Sequence, residues 1–203
     1  MGTCKSAGQH SAQAVSPEKR EVGGSTPPLP TPSSCSPAAP AGQTAAVTPL
    51  PATGGTTVGL RRATADDVPA LVALLTDDPL GRDRESPDLA PYRRAFAAVD
   101  ADPAQLLLAL TQGPEVVGTA QLTEIPGLSR GGTTRLQVEA VRVRADLRGQ
   151  GVGAALLTWA VEEARRRGCG LVQLTTDTRR AEAHRFYERL GFTASHVGFK
   201  LQL

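Results

Sequence analysis

From Val58 onward, apolar positions recur with a period of two or of about 3.6, and each period names an element. Val58 to Arg61 gives a short strand. Thr64-Ala-Asp-Asp67 has the spacing of a capping box variant, and Val68, Leu71, Val72 and Leu75 behind it share one helical face. Thr76 to Pro91 is rich in Pro, Gly, Asp and Arg and reads as loop, leading to a helix from about Tyr92 to Val99. Gln105 to Thr111 is a nearly continuous apolar run that stops at Gly113-Pro114, and Glu115 to Ile125 supplies the other arm of an antiparallel hairpin. After a loop over Pro126 to Thr134 comes a strand, Arg135 to Val143. Its even positions are apolar through Leu136, Val138 and Ala140. Its odd positions run Arg135, Gln137, Glu139, then Val141 and Val143, so one face changes from polar to apolar with Glu139 at the changeover.

That strand runs into Arg148-Gly-Gln-Gly-Val-Gly153, and a helix opens at once with Val152, Ala155, Leu156, Trp159 and Ala160 on one face. Gly168 suits its C-terminal cap. Leu171 to Thr175 is a further strand, parallel to Arg135–Val143 by strand-helix-strand logic. Arg180 to Leu190 is a short helix ended by Gly191, and Phe192 to Leu203 closes the sheet with strand-like residues. The fold class is α/β with a mixed central sheet: strand, two helices, three strands, helix, strand, helix and closing strands.

The first 57 residues show neither period. Nine of the sixteen prolines lie there, and all seven aromatics lie at or after Tyr92. Such a stretch buries too little apolar surface to offset the entropy of ordering. Residues 1–57 therefore read as a disordered tail and 58–203 as one domain, long enough for a real core. Met1-Gly-Thr-Cys-Lys-Ser6 formally meets the N-myristoylation pattern, a short one that recurs by chance.

Charge and cysteine usage narrow the function classes. Formal net charge is +2, and three lysines are outnumbered by arginines interspersed with acids, so nothing predicts nucleic-acid binding. Arg165-Arg-Arg167 reads as a helix end whose cations face water and complement the dipole. Cys4, Cys35 and Cys169 have neither metal-ligand spacing nor an even count, which predicts no metal and fits a reducing cytoplasm. No apolar run approaches a membrane span.

A strand, a glycine-rich turn and a helix N-terminus together form an anion site, because unpartnered backbone N–H groups and the helix dipole both favour a phosphate there. Gly149, Gly151 and Gly153 would let it approach. A nucleoside-triphosphate loop needs Gly-Lys-Ser/Thr, but Gly153 is followed by Ala154-Ala155. A dinucleotide site belongs in the first strand-helix unit with an acid ending the next strand, whereas four strands precede this turn and that strand ends in Thr175-Thr176. Coenzyme A is the third candidate.

At this point the sequence resembles the Gcn5-related N-acetyltransferases, the GNAT family. Arg148-Gly-Gln-Gly-Val-Gly153 matches their Q/R-x-x-G-x-G/A signature, and Ala183-His-Arg-Phe-Tyr-Glu-Arg-Leu-Gly-Phe192 is similar to their A-x-x-h-Y-x-x-h-G-F element, where h is apolar. The resemblance covers 58–203 and none of the tail. It implies a sheet whose fourth and fifth strands splay apart to admit pantetheine, with acetyl-CoA as co-substrate. Pantetheine would lie along Val141, Arg142 and Val143, and backbone N–H groups of Arg148, Gly149, Gln150, Gly151, Val152, Gly153 and Ala154 would hold the pyrophosphate. The reaction implied is acetyl transfer to a primary amine, with a small molecule as acceptor, by direct attack in a ternary complex.

Under that resemblance Tyr187 is the acid that protonates the departing thiolate, and the backbone N–H of Val143 or a close neighbour faces the oxyanion. Glu139 is the candidate base, directly or through water, with an ion pair to Arg135 or Arg142 as its structural alternative. His184 is a second candidate. Members of the family often carry Asn near position 180, where this chain has Arg180. Arg82, Arg84, Arg93, Arg94 and Arg130 are candidates to receive an anionic group on the acceptor. A homodimer is a candidate assembly. The non-enzymatic alternatives are an acyl-CoA sensor and a protein-interaction scaffold.

Overall fold

The computed structural model describes residues 46–78 and 82–203. The N-terminal segment to residue 45, with Cys4, Cys35 and the myristoylation pattern, lies outside them. Six strands form one sheet in chain order: β1 (Thr48–Pro51), β2 (Thr57–Arg62), β3 (Gln105–Gln112), β4 (Glu115–Ile125), β5 (Arg135–Val143) and β6 (Leu171–Leu174). All neighbours are antiparallel except β5 and β6, which the α4 crossover (Val152–Arg166) makes parallel. Between β2 and β3 lie α1 (Val68–Thr76) and α2 (Ala90–Ala101). A four-residue helical turn, α3 (Ser129–Gly132), interrupts the loop before β5, and α5 (Ala181–Arg189) follows β6.

Two apolar clusters fix the layers. Leu60, Leu110, Leu122, Leu136 and Val138 pack with Val152, Leu156 and Leu157 of α4 on one side of the sheet. Ala63, Leu71 and Ala109 pack with Phe96 on the other, under α1 and α2. The Asp67 carboxylate accepts a bond from the Thr64 N–H at 2.7 Å, as the capping box requires, and a fork of bonds from Arg61 at 2.6 and 2.8 Å. At the other end of α4, Gly168 has φ 73° and the Cys169 N–H returns to the Ala164 carbonyl at 2.9 Å, a glycine cap as expected.

Three expectations need correction. The tail does not extend to residue 57: Thr48–Pro51 is strand β1, paired with β2 from Thr48↔Leu60 to Pro51↔Thr57, and Leu50 is buried. Pro49 and Pro51 are tolerated because β1 is the edge strand among the described residues. The closing strand does not form at the other end, since Thr193 to Leu203 is exposed and pairs with no described strand. Arg167 is not a solvated cation either. It bonds Glu163 at 2.6 Å and reaches Glu124 of β4, tying the end of α4 to the sheet, while Arg165 and Arg166 stay exposed.

Candidate active site

β5 carries the geometry of the site, and its central feature is a bulge. β4 advances two residues from Thr119 to Gln121 while β5 goes from Arg142 back three to Glu139, and Ala140 takes the left-handed region with φ 50°. The surplus residue reverses the alternation. Leu136, Val138, Val141 and Val143 consequently all pack with the α4-side cluster, and Glu139 and Arg142 share the opposite face. The polar-to-apolar changeover seen in the sequence is thus a shift of register within one apolar face. At the same place β5 loses its neighbour: the parallel ladder ends at Val138↔Leu174, and Glu139–Val143 continues beyond it without β6. The parting expected between the fourth and fifth strands falls between β5 and β6, because β1 precedes the rest.

The glycine-rich turn lies at the end of this gap, and its glycines have three different reasons to be there. Gly149 has φ 78° and nothing within 4 Å of where a Cβ would stand, so it presents open backbone. Gly151 has φ 79° and caps α4, and a Cβ there would come 2.2 Å from Thr53 Oγ1. Gly153 lets Phe186 of α5 approach, at 3.6 Å from a notional Cβ. Only Gly149 therefore serves open approach, as the sequence reading expected of all three. Thr56 Oγ1 donates to Gln150 Oε1 at 2.8 Å, and the Gln150 amide donates to the Asp146 carbonyl at 2.7 Å, so the turn is held from both sides. Arg148 donates to the Val143 carbonyl at 3.0 Å and to Asp77 at 2.7 Å. The open Gly149 backbone, the N-terminus of α4 and the length of β5 that β6 leaves open together fit coenzyme A.

α5 brings Tyr187 to the gap. Its ring lies 5.2 Å from Phe186 and 6.0 Å from Phe192 between centroids, packed at the edge of the α4-side core. Burial pushes the phenol pKa up, and the guanidiniums of Arg180 and Arg142 pull it partly back. The hydroxyl stays protonated at neutral pH, as a proton donor must. Among the described residues its oxygen has no hydrogen-bond partner, and it is not sealed from solvent.

Arg142 and Arg180 converge on Asp78, just beyond the end of α1. Arg142 bonds Asp78 at 2.8 Å and the Val141 carbonyl at 2.8 Å, Arg180 also bonds Asp78, and the Arg142 Nε–H is buried without a partner among the described residues. Both guanidiniums also lie close enough to Tyr187 to act on its phenol. Arg180 thus ties the start of α5 to the end of α1, and Arg142 ties β5 to the same carboxylate. Sequence reasoning did not bring this pair together because 102 residues separate Arg180 from Asp78. The one local signal was a cation set between Val141 and Val143. Arg82 and Arg130, offered instead, are exposed.

Glu139 is exposed on the Arg142 face and makes no ion pair with Arg135 or Arg142, so its alternative reading as an ion-pair partner does not hold. A ring nitrogen of His184 is within 3.0 Å of the Asp177 carbonyl, a local bond that anchors the start of α5.

Known proteins are similar to this chain in sequence and fold. A family model described as the acetyltransferase (GNAT) family matches residues 68–192. The aminoalkylphosphonate N-acetyltransferase of Salmonella typhimurium is 37% identical over 141 residues, covering 69% of this chain and 88% of that protein. The crystal structure of a transcriptional regulator from Bacillus halodurans is 44% identical with a TM-score of 0.70, over 72% of this chain and 99% of that one. A Trypanosoma brucei acetyltransferase structure is 28% identical with a TM-score of 0.61, over 72% and 99% of the two chains. With its glycine turn, parted strands and tyrosine on the following helix, the chain belongs to the GNAT family and is an acetyltransferase of that type.

Proposed function

We propose that the protein moves an acetyl group from acetyl-CoA to the primary amine of a small molecule that also carries an anionic group. The observation that carries this reading is the convergence of Tyr187, Arg142 and Arg180 where β5 parts from β6. Pantetheine would run along Val141 to Val143, and the N–H groups from Arg148 to Ala154 would hold the pyrophosphate. The acceptor would lie on the Glu139 and Arg142 face. Its neutral nitrogen attacks the thioester carbon and its surplus proton goes to Glu139, directly or through water. The oxyanion is met by the Val143 N–H or a neighbour, and the Tyr187 hydroxyl protonates the departing sulfur. The Arg142–Arg180 pair suits a phosphonate or carboxylate on the acceptor, in keeping with the activity named for the Salmonella relative.

The test is coenzyme A thiol release over a panel of amines, comparing an aminoalkylphosphonate and an amino acid with an uncharged alkylamine. The anionic amines should be favoured at least tenfold in kcat/KM. Arg180→Met should raise the acceptor KM by roughly 10- to 100-fold, the worth of one or two charge-assisted hydrogen bonds, and leave acetyl-CoA binding unchanged. Equal use of charged and neutral amines would sink the anion assignment. Tight acetyl-CoA binding without turnover on any amine would make the domain a sensor.

A further inference from the structure

The turn that joins β1 to β2 lies against the glycine turn, and it precedes the part of the chain that the family model matches, which begins at residue 68. β1 and β2 pair as far as Pro51↔Thr57, and the Ala52 N–H closes the turn on the Thr56 carbonyl at 2.8 Å. Leu50 is buried in the α4-side cluster and Ala52 packs against it, so the hairpin rests on the same core as α4. Its tip meets the first residues of that helix. Thr56 Oγ1 donates to Gln150 Oε1 at 2.8 Å across 94 residues of sequence. Thr53 lies so close to Gly151 that a Cβ there would stand 2.8 Å from the Thr53 backbone nitrogen. Gln150 carries the restraint onward, because its amide donates to the Asp146 carbonyl at 2.7 Å.

We propose that residues 53–56 form a clasp that positions the cofactor, a role that rests on the reading of the glycine turn as the coenzyme A site. The Thr56 hydroxyl, through Gln150, holds the backbone N–H groups of residues 148–154 in the arrangement that receives the pyrophosphate. Three glycines among the five residues 149–153 leave that turn with much conformational freedom to lose. A loop that orders only when its ligand arrives binds more weakly than one ordered beforehand. The α4 N-cap, Gly151, makes no side-chain cap bond, so the first N–H groups of the helix stay open to a ligand. The restraint on the turn therefore has to come from a group that does not occupy them. Thr56 supplies it from a separate strand pair, by way of the Gln150 side chain and without using an N–H of the turn. It is thus a positioning residue, acting on the cofactor through the turn and not on the reacting atoms.

Calorimetric titration of the full chain with acetyl-CoA reads the effect. Thr56→Val keeps the branched stem and removes the hydroxyl, and should raise the acetyl-CoA Kd roughly 3- to 10-fold, the range of one neutral hydrogen bond. The KM for acetyl-CoA should rise with it, while kcat at saturation and the acceptor KM stay within about twofold of wild type. Thr56→Ser keeps the hydroxyl and should bind as wild type does. Gln150→Met removes the same bond from its other end, and adding Thr56→Val to it should weaken binding no further. Binding by Thr56→Val within about twofold of wild type overturns the clasp and leaves the cofactor reading standing. So does a Thr56→Ser chain as weak as Thr56→Val, or a loss that falls on kcat or the acceptor KM instead. A wild-type chain that does not bind acetyl-CoA overturns both.

Discussion

Replacing Tyr187 by Phe removes one oxygen atom and leaves the rest of the side chain in place. The ring keeps its neighbours Phe186 and Phe192, and no protein group among the described residues loses a hydrogen bond. The change in stability should therefore stay within about 0.5 kcal/mol. If the hydroxyl is the acid, turnover should fall by roughly 10²- to 10⁴-fold, the usual contribution of a positioned proton donor, which is about 2.7 to 5.5 kcal/mol on the barrier. Acetyl-CoA affinity, set by the glycine turn and β5, should be nearly unchanged. The assay is thiol release at saturating acceptor, with calorimetric titration of acetyl-CoA alongside. The pH profile supplies a second reading. Because burial lifts the Tyr187 pKa above its usual value near 10, wild-type turnover should decline only above about pH 10 as the phenol ionises, and the variant should lack that decline. Turnover within twofold of wild type, or a variant that keeps the alkaline limb, would refute the assignment.

Gly151→Ala should destabilise more than Gly149→Ala in denaturant melts. Both incur about 1–2 kcal/mol for the left-handed backbone, but only at Gly151 would the new methyl also press on the Thr53 hydroxyl and on its backbone nitrogen 2.8 Å away. Equal losses would remove Thr53 from the account. Burial would lift the Glu163 carboxyl, but bonds from Arg166 and Arg167 outweigh it and hold its pKa below the usual value. A depressed carboxylate contributes stability above its unfolded pKa and loses it as pH falls through the folded one. Glu163→Gln should thus cost about 1.5–3 kcal/mol at pH 7 and much less at pH 3, read as the difference in thermal midpoints. An equal cost at both pH values would show that packing, rather than charge, sets the loss.

Local signals made the glycine turn, the opening of α4 and the tyrosine of α5 legible, because each rests on residues adjacent in sequence. What was hidden depends on distant partners or on a single backbone angle. Composition marked residues 48–56 as tail, yet Leu50 finds a buried place once β2 offers an edge, and prolines cost little there. Alternation along β5 was read with a fixed period of two, and nothing about an alanine at position 140 announces a positive φ. Arg167 looked like one of three equivalent cations until Glu124, 43 residues away, came to meet it. Period two at the C-terminus predicted a closing strand, but alternation alone supplies no partner, and the segment pairs with no described strand.

The bulge at Ala140 also bears on which changes of chain length the protein can survive. Glu139 and Arg142 face one side and Val138, Val141 and Val143 the other only because one residue more lies on β5 than on β4. Adding a further residue there would turn Val141 and Val143 toward the Glu139 face and drive Arg142 into the apolar layer beneath α4. Deleting Ala140 would instead flatten the bulge and leave each side chain on its face, since plain alternation from Val138 then also puts Val141 and Val143 with it and Arg142 opposite. An insertion of a single residue between Glu139 and Val143 is therefore a more severe lesion than loss of Ala140 or most substitutions there, whereas the exposed loop at Leu128 absorbs one without moving the site. The spacing from Glu139 to the glycine turn is thus limited in one direction, and related chains that keep the same chemistry should lose the bulge residue before they gain a second one.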